Sequence, residues 1–104
     1  MKKIIAVTGC PTGIAHTFMA EEALKKAANE MGVEIKVETN GAIGVENELT
    51  EDDIKEADGV IIASDKDARV DRFIGKAIIE TSVQDGIRKP KELIQAILDG
   101  KAQI

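Results

Sequence analysis

The chain has 104 residues, a formal net charge of −5 and 43% apolar residues, among which only two are aromatic. This length favours one domain over residues 1–104, with a core of Ile, Val, Leu, Ala and Met. The negative charge and the scarcity of aromatic side chains argue against nucleic acid as a partner. No apolar run approaches the length of a membrane span, so we expect no direct membrane insertion, and the single cysteine fits a reducing cytoplasm.

Strand and helix patterns alternate along the chain. An apolar run with β-branched residues over 3–8 is typical of a strand buried on both faces of a parallel sheet. Apolar residues at helical spacing predict a helix over 17–31, ended by Gly32. Alternating apolar and charged residues over 33–39 predict a second strand, nearer an edge of the sheet. A turn-rich loop follows over 40–44.

The next helix has a recognisable start. Thr50 and Asp53 are spaced as a capping box, and Leu49 and Ile54 are placed to pack as a hydrophobic staple. The helix is short and is predicted to end near Ala57.

The remainder of the chain continues the alternation. An apolar strand is predicted over 59–64, a charged loop over 65–72 and a weaker strand over 77–81. Pro90 suits the first turn of a last helix. The apolar residues that share one face of this helix are Leu93, Ile94, Ile97 and Leu98.

This order predicts a three-layer α/β fold, with a parallel sheet of about four strands and helices on both faces. Ligands of such folds bind at the carboxyl ends of the strands. Cys10, the loop over 40–44 and the loop over 65–72 each follow a strand, so we expect all three at one edge of the sheet, with a phosphate-binding loop after the first strand.

Cys10, the only cysteine, lies between the first strand and the first helix. A glycine-containing turn that leads into a helix directs backbone N–H groups and the positive helix end at an anion, and it lowers the pKa of a thiol there. Cys10 is therefore the candidate nucleophile, although a lone cysteine is often only a small buried residue. With one cysteine and His16 as the one histidine, we expect no metal site.

The loop matches no nucleotide or dithiol motif. Gly9 and Gly13 are too close for a Walker A loop and no lysine follows them, while a thioredoxin-type site needs a second cysteine. The loop partly matches the cysteine phosphatase pattern, in which five residues separate Cys from Arg and then Ser or Thr. Thr17 supplies the hydroxyl, but His16 replaces the arginine. Hydrolysis is less favoured without a guanidinium, which suits a phosphoryl carrier.

The chain resembles the fructose-type IIB domain of the bacterial phosphoenolpyruvate-dependent sugar phosphotransferase system over nearly its whole length. The longest matching motif is VTGCPTGIAHTFMA over residues 7–20, and shorter ones are VETNG over 37–41, GVEN over 44–47 and RFxGK over 72–76. The family more often has glutamine at the position of Asn40 and alanine at that of Glu21.

The resemblance implies a phosphotransferase that carries a phosphoryl group as phosphocysteine on Cys10. The group would come from a phosphohistidine of a IIA protein and pass to a sugar bound by membrane-embedded IIC. The chain would be cytoplasmic and peripheral to the inner face of the cell membrane through IIC. No cofactor is implied. A small cysteine-dependent phosphatase-like hydrolase and a non-catalytic regulatory module stay open as alternatives.

The resemblance also implies roles for single residues. The phosphate-binding residues would be Pro11, Thr12, Gly13, Ile14, Ala15, His16 and Thr17. His16 would bind the phosphate or orient the loop, and a purely structural histidine is an equal alternative. Asn40 and Arg72 are predicted to contact partners, although a charged loop is usually only solvated. Independently of the resemblance, Phe18 and Met19 are expected to pack, with one of them exposed beside the loop.

Overall fold

A computed structural model describes residues 2–9, 14–41, 44–64, 70–73 and 75–99. The elements in chain order are β1 (Lys3–Gly9), α1 (Ile14–Met31), β2 (Glu34–Gly41), β3 (Gly44–Glu46), α2 (Glu51–Glu56), β4 (Gly59–Ser64), a 3₁₀ helix (Val70–Phe73), β5 (Ile78–Thr81), α3 (Val83–Arg88) and α4 (Pro90–Leu98). This is the α/β class that the sequence predicts.

The sheet has the strand order β3-β2-β1-β4-β5, with β1 at its centre. The four predicted strands, β2, β1, β4 and β5, pair in parallel. A fifth strand that was not predicted, β3, pairs antiparallel with the end of β2. Gly9 pairs with Asn40 on one side and with Ser64 on the other. The carboxyl ends of the three central strands therefore meet at one edge, as expected.

Helices cover both faces of the sheet. On one face α1 and α4 pack against Ile4 and Ala6 of β1 in an apolar cluster. On the other face Ile5 and Val7 pack with residues around α2 and with Phe73 of the 3₁₀ helix. All four of these β1 side chains are completely buried, because the strand has neighbours on both sides and a layer on each face.

Two helices differ from the prediction. α1 begins at Ile14 rather than at Thr17, so three residues assigned to the loop form its first turn. α3 was not predicted because Gly86, a poor helix former, lies within it. A Cβ at this glycine would lie 2.7 Å from the Cβ of Ala63, so the glycine lets α3 approach β4 closely.

Both ends of α2 are fixed by side chains. The predicted capping box is confirmed, since the Thr50 side chain accepts a hydrogen bond from the Asp53 N–H and the Asp53 carboxylate accepts one from the Thr50 N–H. At the other end Lys76 Nζ donates to the carbonyl oxygens of Lys55 and Ala57, both at 3.0 Å. Lys76 thus neutralises the negative end of this short helix.

Candidate functional site

The candidate site is built around the end of β1 at Gly9, directly before Cys10. A Cβ at Gly9 would lie 2.8 Å from Ser64 Oγ and 3.0 Å from the carbonyl oxygen of Asn40. The close approach of β2 and β4 therefore requires a residue without a side chain at this position. Asn40 and Ser64 flank the point at which the chain leaves the sheet towards Cys10.

The first turn of α1 forms the other side of the site. In any α-helix the first N–H groups lack a partner one turn earlier, and here they belong to Ile14, Ala15 and His16. The first turn contains no acidic residue, so no side chain of the turn offsets the positive end of this 18-residue helix. Such an end stabilises an anion placed before it.

Two buried threonines connect β1 with α1. Thr8 Oγ1 donates a hydrogen bond of 3.2 Å to the carbonyl oxygen of Thr17, and both residues are 0% exposed. Thr17 Oγ1 is itself buried and has no hydrogen-bond partner among the residues that the structure describes. Because a buried hydroxyl without a partner is costly, this oxygen is a candidate for binding a ligand.

The predicted loop residues divide into two sets. Ile14, Ala15, His16 and Thr17 belong to the first turn of α1, with Ala15 and His16 exposed and Thr17 buried. Cys10, Pro11, Thr12 and Gly13 lie outside the described residues. Of the neighbouring apolar residues, Met19 is the exposed one at 50%, whereas Phe18 is half-buried.

Arg72, a predicted partner contact, forms an internal ion pair. Its guanidinium donates to both carboxylate oxygens of Glu38, at 2.7 and 2.6 Å, and lies 4.7 Å from the ring centroid of Phe73. Glu38 is 1% exposed and also accepts a hydrogen bond from the Leu49 N–H at 2.9 Å. The bidentate pair compensates the buried carboxylate and joins the 3₁₀ helix to β2.

The other charged or polar candidates have different positions. Asn40 is half-buried at the edge of the sheet, beside Gly9. Asp65 and Arg69, in the charged loop predicted over 65–72, lie outside the described residues. In the part of the chain that is described, no group of three or more His, Cys, Asp or Glu could hold a metal ion. Within the same ranges, no helix combines the length and apolar character that crossing a membrane requires.

A family model described as the lactose/cellobiose-specific IIB subunit of the phosphotransferase system (PTS) matches residues 5–96. A fructose-like EIIB component 2 of Escherichia coli K12 is 48% identical over 98 residues, which are 93% of this chain and 92% of that protein. The chain belongs to the PTS IIB family, and it is of the fructose type. As a IIB component, it is a phosphotransferase of a sugar transport system.

Further relatives support the fructose type. The fructose-specific EIIABC component of Bacillus subtilis is 53% identical over 102 residues, covering 98% of this chain but only 16% of that protein. The chain thus spans about a sixth of the length of this relative, and 17% of that of a fructose-specific EIIB'BC component of Vibrio cholerae. The solved structure of a domain of fruA from Bacillus subtilis is 51% identical, with a TM-score of 0.91 and 98% of each chain covered.

Sequence reasoning missed two residues at this candidate site, Thr8 and Ser64. Each is a hydroxyl residue near the carboxyl end of a strand whose interior is apolar. A polar side chain in a buried strand needs a hydrogen-bond partner, and this requirement was the available signal.

Proposed function

We propose that this IIB component carries a phosphoryl group on Cys10 between a phosphohistidine of a IIA protein and a sugar bound by a membrane IIC protein. The observation that carries this proposal is the buried Thr17 hydroxyl in the first turn of α1, without a partner among the described residues. In the sequence, Thr17 lies seven residues after Cys10. A hydroxyl donor at a helix N-terminus favours the thiolate over the thiol and favours a phosphoryl group bound to it.

The transfer takes place in two displacements. In the first, the Cys10 thiolate attacks phosphorus, the S–P bond forms and the N–P bond of phosphohistidine breaks, leaving imidazole on the donor. In the second, a sugar hydroxyl attacks phosphorus, the O–P bond forms and the S–P bond breaks. The hydroxyl proton passes to a base or to water, and the thiolate is regenerated.

Residues 11–17 are proposed to hold the phosphoryl oxygens. The N–H groups of Ile14, Ala15 and His16 belong to the positive end of α1, and the absence of acidic residues from that turn limits repulsion of a dianion. The exposed position of His16 suits a side chain that meets phosphate or a partner. Because no arginine follows in the loop, transfer to water is less favoured than in a cysteine phosphatase.

We further propose that residues 1–104 form one IIB domain that works at the cytoplasmic face of the membrane, where IIC binds the sugar. Met19 and Asn40 lie near the two walls of the site, on α1 and β2, so partners that reach Cys10 would meet them. The names of the relatives, one fructose-specific and one fructose-like, favour fructose or a similar sugar as the acceptor.

The test is the intact mass of the protein after incubation with phosphoenolpyruvate, the general phosphotransfer proteins and a fructose-type IIA. Wild type is expected to gain one phosphoryl group and Cys10→Ser none, because a serine hydroxyl is not ionised at neutral pH. Lys25→Ala, on the exposed surface of α1, serves as the matched control and is expected to behave as wild type.

Several outcomes contradict the proposal. Equal labelling of wild type and Cys10→Ser assigns the acceptor to another residue. No labelling with any IIA donor, in a protein whose circular dichroism is unchanged, rejects the carrier role. Steady hydrolysis of an aryl phosphate by the isolated chain would support a phosphatase instead.

A further inference from the structure

Thr8 is the residue of β1 that reaches across to the first turn of α1. Its side chain lies on the α1 face of the sheet, in line with Ile4 and Ala6, which pack in the α1 cluster. Its hydroxyl donates to the Thr17 carbonyl oxygen at 3.2 Å across nine residues of sequence, and both residues are fully buried. The bond therefore joins the two ends of the segment 9–16, which contains Cys10.

The choice of threonine here is not explained by packing alone. Valine has nearly the same shape and suits a buried strand better, since it carries no polar atom to satisfy. The Thr17 carbonyl oxygen has two lone pairs, so it can accept from Thr8 as well as from a helix N–H. The specific effect of the Thr8 hydroxyl is to fix the backbone of Thr17 relative to β1.

The side chain of Thr17 supports a role for Thr8 independently of the Thr8 hydrogen bond. Its Oγ1 is buried and has no hydrogen-bond partner in the described part of the chain, so its proton is available to a group at the site. The direction of this hydroxyl depends on the backbone that Thr8 holds. A misplacement of about 1 Å is enough to weaken a catalytic hydrogen bond strongly.

We propose that Thr8 is a positioning residue: its hydrogen bond to the Thr17 carbonyl holds the Thr17 hydroxyl where it keeps the Cys10 thiol reactive. The inference rests on the proposed function of Cys10. Thr8 touches neither thiol nor phosphate in this role and acts through Thr17.

The experiment measures the rate of alkylation of the protein by iodoacetamide as a function of pH. Cys10 is the only cysteine, so the rate reports its thiolate alone. Thr8→Val is expected to raise the apparent thiol pKa by about one unit and to slow alkylation near neutral pH about tenfold. Thr8→Ser, which keeps the hydroxyl, is expected to restore the wild-type profile. Phosphoryl acceptance from IIA should fall and recover in parallel.

Two comparisons separate positioning from a general loss of stability. Ile94→Val removes a buried methylene in α4 and is expected to leave the thiol profile unchanged despite a lower melting temperature. In a Thr17→Val background, Thr8→Val is expected to add no further change, because its route has already been removed. Thr17→Ala replaces Thr17→Val if that variant does not fold.

The proposal is overturned if Thr8→Val and Ile94→Val give the same thiol profile, or if the effect of Thr8→Val persists undiminished without the Thr17 hydroxyl. Failure of the proposed function is a separate result. If the wild-type protein accepts no phosphoryl group but Thr8→Val still changes the thiol profile as expected, the positioning role of Thr8 stands and the carrier role of Cys10 is rejected.

Discussion

The two faces of the sheet are held together in different ways. The face covered by α1 and α4 is apolar apart from threonines at the carboxyl end of its strands, and its side chains include Ile4, Leu24 and Ile94, each 0% exposed. The face covered by α2 and the 3₁₀ helix combines an apolar centre with ion pairs along β2. Glu38 pairs with Arg72, and Lys36 pairs with Asp53 at 2.6 Å.

The difference follows from the alternation of β2 and the shortness of its cover. Ile35 and Val37 point to α1, whereas Lys36 and Glu38 point to the other face. α2 has six residues and none of them is buried, so it cannot cover this strand with apolar side chains. Ion pairs take the place of apolar packing over this strand. The fold depends there on charge compensation rather than on the volume of packed apolar side chains.

Arg72→Met is the change expected to have the largest effect. Methionine keeps much of the side-chain length but leaves the carboxylate of Glu38 buried without its bidentate cation. We expect the free energy of unfolding in urea to fall by about 4 kcal/mol. The matched variant is the double replacement Glu38→Gln with Arg72→Met, which removes both charges and should recover at least half of the loss. Strictly additive losses would contradict charge compensation as the cause.

Leu24→Ala tests the apolar face. Leu24 is completely buried between α1 and the sheet, so the truncation leaves a cavity and is expected to cost about 3 kcal/mol in the same urea experiment. Leu24→Met conserves volume and should cost less than about 1.5 kcal/mol. If Leu24→Met were as damaging as Arg72→Met, the two faces would not differ in the way described.

Asp53 gives the smallest effect, and it depends on pH. The hydrogen bond from Lys36, with one from the Thr50 N–H, holds the pKa of the Asp53 carboxyl well below its usual range. The unfolded chain therefore binds more protons, and the contribution of Asp53 to stability is present above its usual pKa and lost progressively as the pH falls below that value. When the pH is lowered from about 7 to about 3, the free energy of unfolding in urea should fall less for Asp53→Asn than for wild type. Leu24→Ala, which touches no titrating group, should lose as much as wild type, and equal losses in all three proteins would reject the role of Asp53.

The sequence predicts the parts of the fold that rest on local pattern. The apolar runs of β1 and β4 and the capping box of α2 are readable from neighbouring residues alone. β3 has three residues and forms because β2 offers it a partner, which a local pattern does not reveal. The start of α3 is predictable from the sequence, since the Ser82 side chain accepts a hydrogen bond from the Asp85 N–H. Gly86 within this helix is explained by its close contact with β4, which a local pattern does not reveal.

The candidate site was predictable where its motif is contiguous. Cys10 and Thr17 follow from the loop pattern, and the role of Cys10 stays a prediction. The Thr8 bond to Thr17 and the internal pairing of Arg72 were not predictable, because both depend on residues brought together by the tertiary structure. Arg72 could be recognised as charged from the sequence, but not as the counter-ion of a buried carboxylate. Its predicted contact with a partner stays a prediction.

The central position of β1 has a consequence for the order in which the molecule opens. A strand hydrogen-bonded on both sides and covered on both faces cannot be released by fraying of an edge or a terminus. Its amide protons are expected to exchange with solvent only when the whole domain unfolds. The strand that leads to Cys10 is thus expected to be the most persistent part of the native ensemble.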